Sequence, residues 1–253
     1  MVGAIFSQAL REYFRFRRIF PWLLLGGLCY GLALFWPHLI KGATHQEQYS
    51  SVSSILAFRI LALSSAIFTT AIVSQEVEGR TIVYLLTRPV PRWILLVTRF
   101  AASVIVVSFL GSLAMVLTSV GAFGKVGNPL LLNDVKAVVF GALAYGGLFL
   151  LVSLLVNRAM IYCLLFAFGW ETSIPNLPGD LYHLSIYSYL QGIAQHPVTE
   201  TSRALNAVAG GSNANSISAL SAYLCLAVFT VATVLLSAWW FTHFEYVPRE
   251  DAE

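Results

Sequence analysis

The chain has 253 residues, of which 58% are hydrophobic and only 11% are charged, and its mean hydropathy is +0.75. Soluble domains contain roughly 45–50% apolar and about 25% charged residues, so this composition indicates an integral membrane protein. The net charge of +3 is small and its basic residues are scattered, which argues against nucleic-acid binding. No stretch predicts a separate soluble domain, and residues 1–253 are expected to form one transmembrane domain.

Residues 1–19 are predicted to form an amphipathic helix at the membrane interface. Apolar residues recur there at helical spacing, and five charged residues lie beside them (Arg11, Glu12, Arg15, Arg17 and Arg18). Aromatic and aliphatic residues next to arginines suit the headgroup region. The alternative is the basic part of a signal peptide. Because no small-residue cleavage site follows, we expect the segment to be retained as a signal anchor.

Six segments are predicted to span the membrane and to form a bundle over residues 20–241. They are Phe20–Trp36, Ile55–Ser74, Trp93–Val120, Val135–Val156, Ala159–Trp170 and Ile217–Phe241. A helix needs about 20 residues to cross a hydrocarbon core of about 30 Å. The fifth segment has only about 12 residues, which fits either a short span or one limb of a re-entrant hairpin.

The distribution of Lys and Arg predicts the orientation of the chain. With the N-terminus inside, the cytoplasmic side holds ten of them (Arg11, Arg15, Arg17, Arg18, Arg80, Arg88, Arg92, Arg99, Arg158 and Arg249). The other side holds five (Lys41, Arg59, Lys125, Lys136 and Arg203). This bias favours a multi-pass protein of the plasma (inner) membrane with both termini in the cytoplasm, including the tail 242–253. If the fifth segment does not cross, the later topology changes.

Two connections on the outer side differ in character. Residues 37–54 are expected to be an ordinary polar connection. Residues 171–216 are longer than most structureless loops. Apolar residues between Leu181 and Ala194 recur near helical spacing, which predicts a short amphipathic helix lying at the outer interface.

Enzyme motifs are absent from the sequence, so we expect the chain not to be an enzyme. No G-x-x-x-x-G-K-S/T run occurs, so this chain is not itself a P-loop ATPase. No serine lies in G-x-S-x-G, and the five histidines have no metal-binding spacing. The three cysteines lie in apolar stretches and are interpreted as core residues (Cys29, Cys163 and Cys225). Neither a metal site nor a cofactor bound by this chain is expected.

Two charged residues are candidates for a pathway or gating role. Arg59 lies inside an apolar run near its outer end, where a snorkelling side chain is the favoured interpretation. Glu171 directly follows the short fifth segment. A plain interfacial carboxylate is its favoured interpretation, and a substrate or gating role is the alternative.

The cytoplasmic loop 74–92 is the most highly charged break between two apolar segments. The second span is expected to continue as helix to Glu78 and to stop at Gly79. Thr81 is a candidate N-cap for a short helix through Leu86, which Pro89 would end. Such a helix would present apolar anchors with a charged rim, as a docking surface requires. The alternative is an amphipathic turn resting on lipid.

This loop resembles the cytoplasmic loop of ABC-2 type permeases. The residues that carry the resemblance are Glu76, Glu78, Gly79, Arg80, Thr81, Tyr84, Leu85, Leu86, Arg88, Pro89 and Arg92. The family has an E-x-E-x-G-T-like run followed by L-L-x-x-P between its second and third spans. Here Arg80 separates the glycine from the threonine, which are adjacent in the tight form of the motif. The order of elements is also similar: a basic N-terminal helix, six spans, and a broken outer region before the last span.

The resemblance implies the transmembrane subunit of an ATP-binding-cassette exporter. Two copies, or two related chains, would pair with two separate ATPase subunits that bind ATP and Mg²⁺. The loop would form a coupling helix that docks on an ATPase subunit. The other functions considered are a membrane scaffold or assembly factor without transport, and a secondary carrier. A carrier is disfavoured because the chain lacks internal repeats and arrays of buried ionisable residues.

Overall fold

The computed structural model describes residues 2–39, 44–78, 91–126, 128–174, 180–196 and 217–243, and within these ranges it contains helices and no strands. The α-helices are α1 (Val2–Tyr13), α2 (Phe16–Leu39), α3 (His45–Val52), α4 (Phe58–Glu78), α5 (Arg92–Phe123), α6 (Pro129–Leu155), α7 (Ala159–Leu165), α8 (Ile186–Ala194) and α9 (Ala219–His243). A π-helical turn, Ser53–Ala57, joins α3 to α4. A second, Phe166–Trp170, and a last turn, Glu171–Ser173, extend α7, and a 3₁₀ turn, Asp180–Leu184, precedes α8.

Five helical segments of the described chain are long and apolar enough to cross a membrane. They are Phe16–His38, His45–Ile72, Trp93–Phe123, Pro129–Leu155 and Ala219–His243. The prediction of an all-α membrane protein is therefore confirmed for these residues. The count of six spans is not confirmed, because the fifth predicted segment is a shorter apolar helix, Ala159–Ser173.

The second span begins earlier than predicted. Helical backbone runs from His45 to Glu78, whereas the sequence predicted a span over Ile55–Ser74 and a polar connection over 37–54. Thr44 and Glu47 cap this helix reciprocally, which stabilises its first turn. The polar residues that follow pack inside the protein, where Gln48 donates a hydrogen bond to the Ala33 carbonyl.

The N-terminal helix is also shorter than predicted. α1 ends at Tyr13, and α2 begins at Phe16, so Arg17 and Arg18 belong to the first span and not to an interfacial helix over 1–19. The Tyr13 ring is buried edge-to-face against Phe68 of α4, with ring centroids 5.8 Å apart. This contact fixes the end of α1 on the bundle.

The core lies between α3–α4, α5 and α6. In the most apolar windows, 67% of the α3–α4 segment and 61% of α6 are buried, against 22% for α2 and 17% for α9. Leu61 of α4 fits against two glycines, Gly111 of α5 and Gly141 of α6. Small residues allow such close approach of membrane helices. The central helices are therefore α4 and α6, and the outward faces of α2 and α9 remain open.

Chain connectivity brings several helix ends together at one end of the bundle. We call this the Asp134 end. It contains the last residues of α2 and α5 and the first residues of α3 and α6, and the Tyr49 ring lies 5.7 Å from the ring of Phe123 there. The other end, which contains the α1–α2 corner and Arg99, is called the Arg99 end.

Candidate functional site

The predicted docking loop is only partly described. Glu76 and Glu78 lie in the last described turns of α4, and Arg92 is the first residue of α5. The other predicted residues of the loop lie outside the described residues (Gly79, Arg80, Thr81, Tyr84, Leu85, Leu86, Arg88 and Pro89). The short helix from Thr81 to Leu86 stays a prediction.

The structure instead defines a buried polar network that links α3–α4 and α6 to α7 and α8. Glu171 is one centre of this network and is only 1% exposed. Its carboxylate accepts hydrogen bonds from the Ser185 hydroxyl at 2.6 Å and from the backbone N–H groups of Ile186 and Tyr187, both at 3.1 Å. These N–H groups open α8, so the carboxylate stabilises the positive end of that helix.

This geometry corrects the expectation that Glu171 is a plain interfacial carboxylate. It lies in the last turn of the segment that extends α7 and joins that segment to α8 across residues 172–185. Trp170 adds a second link, since its indole N–H donates to the Leu184 carbonyl at 3.3 Å. The two short helices are therefore held together at their break.

α8 also differs from its prediction. The helix covers Ile186–Ala194, and seven of its nine residues are buried (Ile186, Tyr187, Ser188, Leu190, Gly192, Ile193 and Ala194). It packs against α6 and α9, and Leu190 reaches Gly141 near the middle of α6. The expected amphipathic helix at the outer interface is thus inside the protein. Helical periodicity identified the helix but could not show that neighbouring helices cover its polar side.

The second centre of the network is Asp134 of α6, which is fully buried. Its carboxylate accepts a hydrogen bond from the Tyr49 hydroxyl at 2.5 Å, and His196 Nε2 lies 2.8 Å from Oδ1. Gln195, at the end of α8, has a left-handed φ of 51°, which turns the chain so that His196 faces Asp134. This centre ties α3, α6 and the end of α8 together.

Two contacts of Ser54 connect the Glu171 and Asp134 centres. The Tyr187 hydroxyl donates to the Ser54 carbonyl, 3.2 Å away in the π-helical turn, and itself accepts a hydrogen bond from Gln191. The Ser54 hydroxyl lies 3.5 Å from His196 Nδ1. The network is thus continuous from Glu171 to Asp134, and it passes through the irregular turn between α3 and α4.

The prediction that Arg59 lies near the outer end of its helix is wrong. Because the helix starts at His45, Arg59 is 14 residues inside it, and its guanidinium carbon lies 5.3 Å from the centre of the Tyr187 ring. Nη1 of Arg59 is buried and has no hydrogen-bond partner among the described residues. The guanidinium also interacts electrostatically with Glu171. A snorkelling role does not fit this position, whereas a role inside the bundle does.

The chemistry of this network favours a structural or conformational role. Within the described ranges no group of three His, Cys, Asp or Glu side chains is placed to hold a metal ion. The two carboxylates already accept hydrogen bonds from α3 and from both ends of α8. Their main effect is therefore to hold these helices in fixed positions in the bundle. A buried ionisable network inside a membrane bundle is also a general indicator of a functional region.

Sequence reasoning missed Asp134, Tyr49 and His196. Asp134 lies directly before the predicted span Val135–Val156, and His196 lies in the long outer region 171–216. One signal is available, since Pro129 suits the first turn of a helix, and a helix that begins there places the Asp134 carboxylate five residues inside it, where it needs a buried partner. No protein-family model matches this chain, and no curated protein matches it in sequence.

Proposed function

We propose that this chain is the permease subunit of an ATP-binding-cassette exporter of the ABC-2 type. Two copies, or this chain and a related one, would form the translocation pathway. Two separate ATPase subunits would bind ATP and Mg²⁺ and dock on the loop 74–92. This chain would contribute no catalytic residue to hydrolysis, because its sequence has no P-loop.

The observation that carries the proposal is the helical connection between the docking loop and the buried network. Helical backbone runs from His45 to Glu78, which is 34 residues and about 50 Å at 1.5 Å per residue. One end enters the predicted docking loop directly. The other end carries Tyr49 and the π-helical turn that contacts α8. A displacement at the loop would therefore reach the network through one buried helix.

The order of the described helices also supports the proposal. A short helix comes first, with the exposed Arg11 near its end and Arg15 just after it. Long apolar helices follow, and a broken pair, α7 and α8, precedes the last span. This is the order that the resemblance implies. In this proposal the fifth element is a broken crossing made of two short helices, a form in which transporters place irregular backbone inside protein.

We assign the Arg99 end to the cytoplasm and the Asp134 end to the outside. The Arg99 end contains six arginines, whereas the Asp134 end contains Lys125 and Lys136. The six are Arg11, Arg15, Arg17, Arg18, Arg99 and Arg158. Excess basic residues favour the cytoplasmic side. Both termini are then cytoplasmic, as expected for the plasma membrane. An accessibility tag in residues 210–215 should label from outside, and cytoplasmic labelling would reject this orientation.

Within this function we assign Arg59 and Glu171 to gating. Both belong to the contact between α4 and the start of α8, which must rearrange if α7 and α8 move. A conformational change driven by ATP requires contacts that differ between the two conformations, since equal contacts do not shift the equilibrium between them. Hydrogen bonds to a buried carboxylate are strong enough to give a gate two discrete states.

Purification of the chain from its native membrane in a mild detergent tests the proposal. We expect a protein with a P-loop motif to co-purify in a one-to-one ratio, with ATPase activity that depends on the complex. A carrier would support transport in proteoliposomes without any such subunit. A scaffold would co-purify with other membrane proteins and would show no substrate movement. Either of these two results would contradict the proposed exporter function.

A further inference from the structure

A polar groove of about 410 Å³ lies along α1, on the side away from the bundle core. The described residues that line it are Ser7, Gln8, Arg11, Glu12 and Arg15. They follow helical spacing along the exposed face, while Ala9 and Tyr13 on the opposite face are buried. The groove is thus formed by the side of α1 that the bundle does not use.

The charges of this groove are unbalanced. Glu12 is the one acid among its described lining residues, and its Oε1 lies 3.8 Å from Nη2 of Arg18, which provides a positive counter-charge. Arg11 and Arg15 have no acidic side chain within 4 Å among the described residues. Two guanidinium groups therefore face the groove without a counter-ion from the part of the chain that the structure describes.

A large apolar surface begins directly beside these arginines. Phe16 is 72% exposed and Phe20 is 50% exposed, and the following turns of α2 expose Leu24 and Leu28. In a membrane protein an exposed apolar face of this kind contacts acyl chains. The groove thus lies where the lipid-facing surface of α2 changes to a charged surface, which is the level at which phospholipid headgroups are found.

We propose that this groove binds the phosphate headgroup of an anionic phospholipid, with the acyl chains against the exposed phenylalanines of α2. A guanidinium presents paired N–H donors that match two phosphate oxygens. A lipid with a net negative charge is attracted by both Arg11 and Arg15. A zwitterionic lipid carries its own cation, which the same arginines repel. A soluble phosphate lacks the acyl chains and forgoes the contact with Phe16 and Phe20.

Native mass spectrometry of the full chain in a neutral detergent tests this site. Phosphatidylglycerol and phosphatidylcholine are titrated separately, and the bound fractions give dissociation constants. The double variant Arg11→Gln/Arg15→Gln should bind phosphatidylglycerol about 30-fold more weakly, which corresponds to about 1 kcal/mol for each basic side chain. The matched variant Lys125→Gln/Lys136→Gln also removes two charges, but at the Asp134 end, and should keep the wild-type affinity.

Additional variants separate charge from geometry and from misfolding. Each single Arg→Gln variant should bind phosphatidylglycerol about 5-fold more weakly than the wild type, so the site remains testable if the double variant unfolds. Arg11→Lys/Arg15→Lys should retain most of the preference over phosphatidylcholine, because the charge is kept. Thermal midpoints equal to that of the wild type establish that the fold is intact.

Three results would overturn the proposal. One is an unchanged phosphatidylglycerol affinity in folded Arg11→Gln or Arg15→Gln variants. Another is an equal loss in Lys125→Gln/Lys136→Gln, which would indicate nonspecific attraction to the net charge. The third is displacement of phosphatidylglycerol by equimolar glycerol phosphate, which would indicate a soluble anion as the ligand.

Discussion

Replacement of Glu171 by glutamine tests whether its carboxylate holds α7 and α8 together. In the native site Oε2 accepts from the Ser185 hydroxyl and the Tyr187 N–H, while Oε1 accepts from the Ile186 N–H. A glutamine amide can place its oxygen at the first position and keep two of these bonds. Its NH₂ group then faces the N–H of Ile186, so one buried donor loses its acceptor.

The magnitude follows from these contacts. A buried donor without an acceptor costs about 1–3 kcal/mol, and loss of the negative charge at the first turn of a helix costs about 0.3–1 kcal/mol. Part of this loss in stability is offset, because a neutral glutamine side chain costs less free energy to bury than a carboxylate. We expect Glu171→Gln to destabilise the protein by about 2 kcal/mol, or about 4–8 °C in thermal midpoint for a chain of this size. Glu171→Ala removes all three bonds and should cost about twice as much.

Thermal unfolding in a single detergent, followed by tryptophan fluorescence, measures this difference. Glu47→Gln is the matched control, because the Glu47 side chain caps the exposed start of α3 at Thr44 and has no hydrogen bond to the network among the described residues. Its midpoint should change by less than about 2 °C, in line with a surface substitution worth about 0.5 kcal/mol. A Glu171→Gln midpoint within 1 °C of the wild type would refute the assignment of Glu171 as the residue that holds α7 and α8 together.

Three further predictions test other parts of the structure. His196→Ala leaves a buried carboxylate without its imidazole partner and should destabilise the protein by about 3 kcal/mol, measured as a lower thermal midpoint; an unchanged midpoint would remove this contact from the network. Gly121→Ala places a Cβ 2.9 Å from a backbone oxygen of α2 and should cost about 1–3 kcal/mol, whereas Gly27→Ala meets nothing within 4 Å and should be neutral; equal effects would contradict close packing of α2 on α5. Leu85→Asp and Glu78→Lys should uncouple ATP hydrolysis from transport in proteoliposomes without reducing membrane insertion, and full coupled transport in both variants would count against the docking loop.

Hydropathy alone predicts the long apolar helices. The sequence predicts that the third span ends at Val120, whereas α5 runs to Phe123 and is followed by Gly124, which adopts a left-handed φ of 67°. The sequence fails where polar residues are buried. His45–Val52 has a low content of apolar residues, so it was assigned to a loop, but Gln48 and Tyr49 find buried partners in α2 and α6.

The candidate site could not be predicted for the same physical reason. Asp134 and His196 lie 62 positions apart, and nothing in their local sequences indicates that α8 returns into the bundle. Arg59 was recognised as an unusual intramembrane charge, but its depth depended on where the helix begins. Only the Thr44–Glu47 capping box, which is a sequence pattern, could have located that start.

Site-specific photo-crosslinking in native membranes tests the central claim most directly. A photoreactive residue is placed at Tyr84 in the predicted docking helix, and a second at Val126, which is 61% exposed at the Asp134 end. We predict that Tyr84 crosslinks to a protein with a P-loop ATPase motif and that Val126 does not. A chain that inserts normally but gives no such adduct from Tyr84, or gives it from Val126 instead, would contradict an exporter driven through loop 74–92.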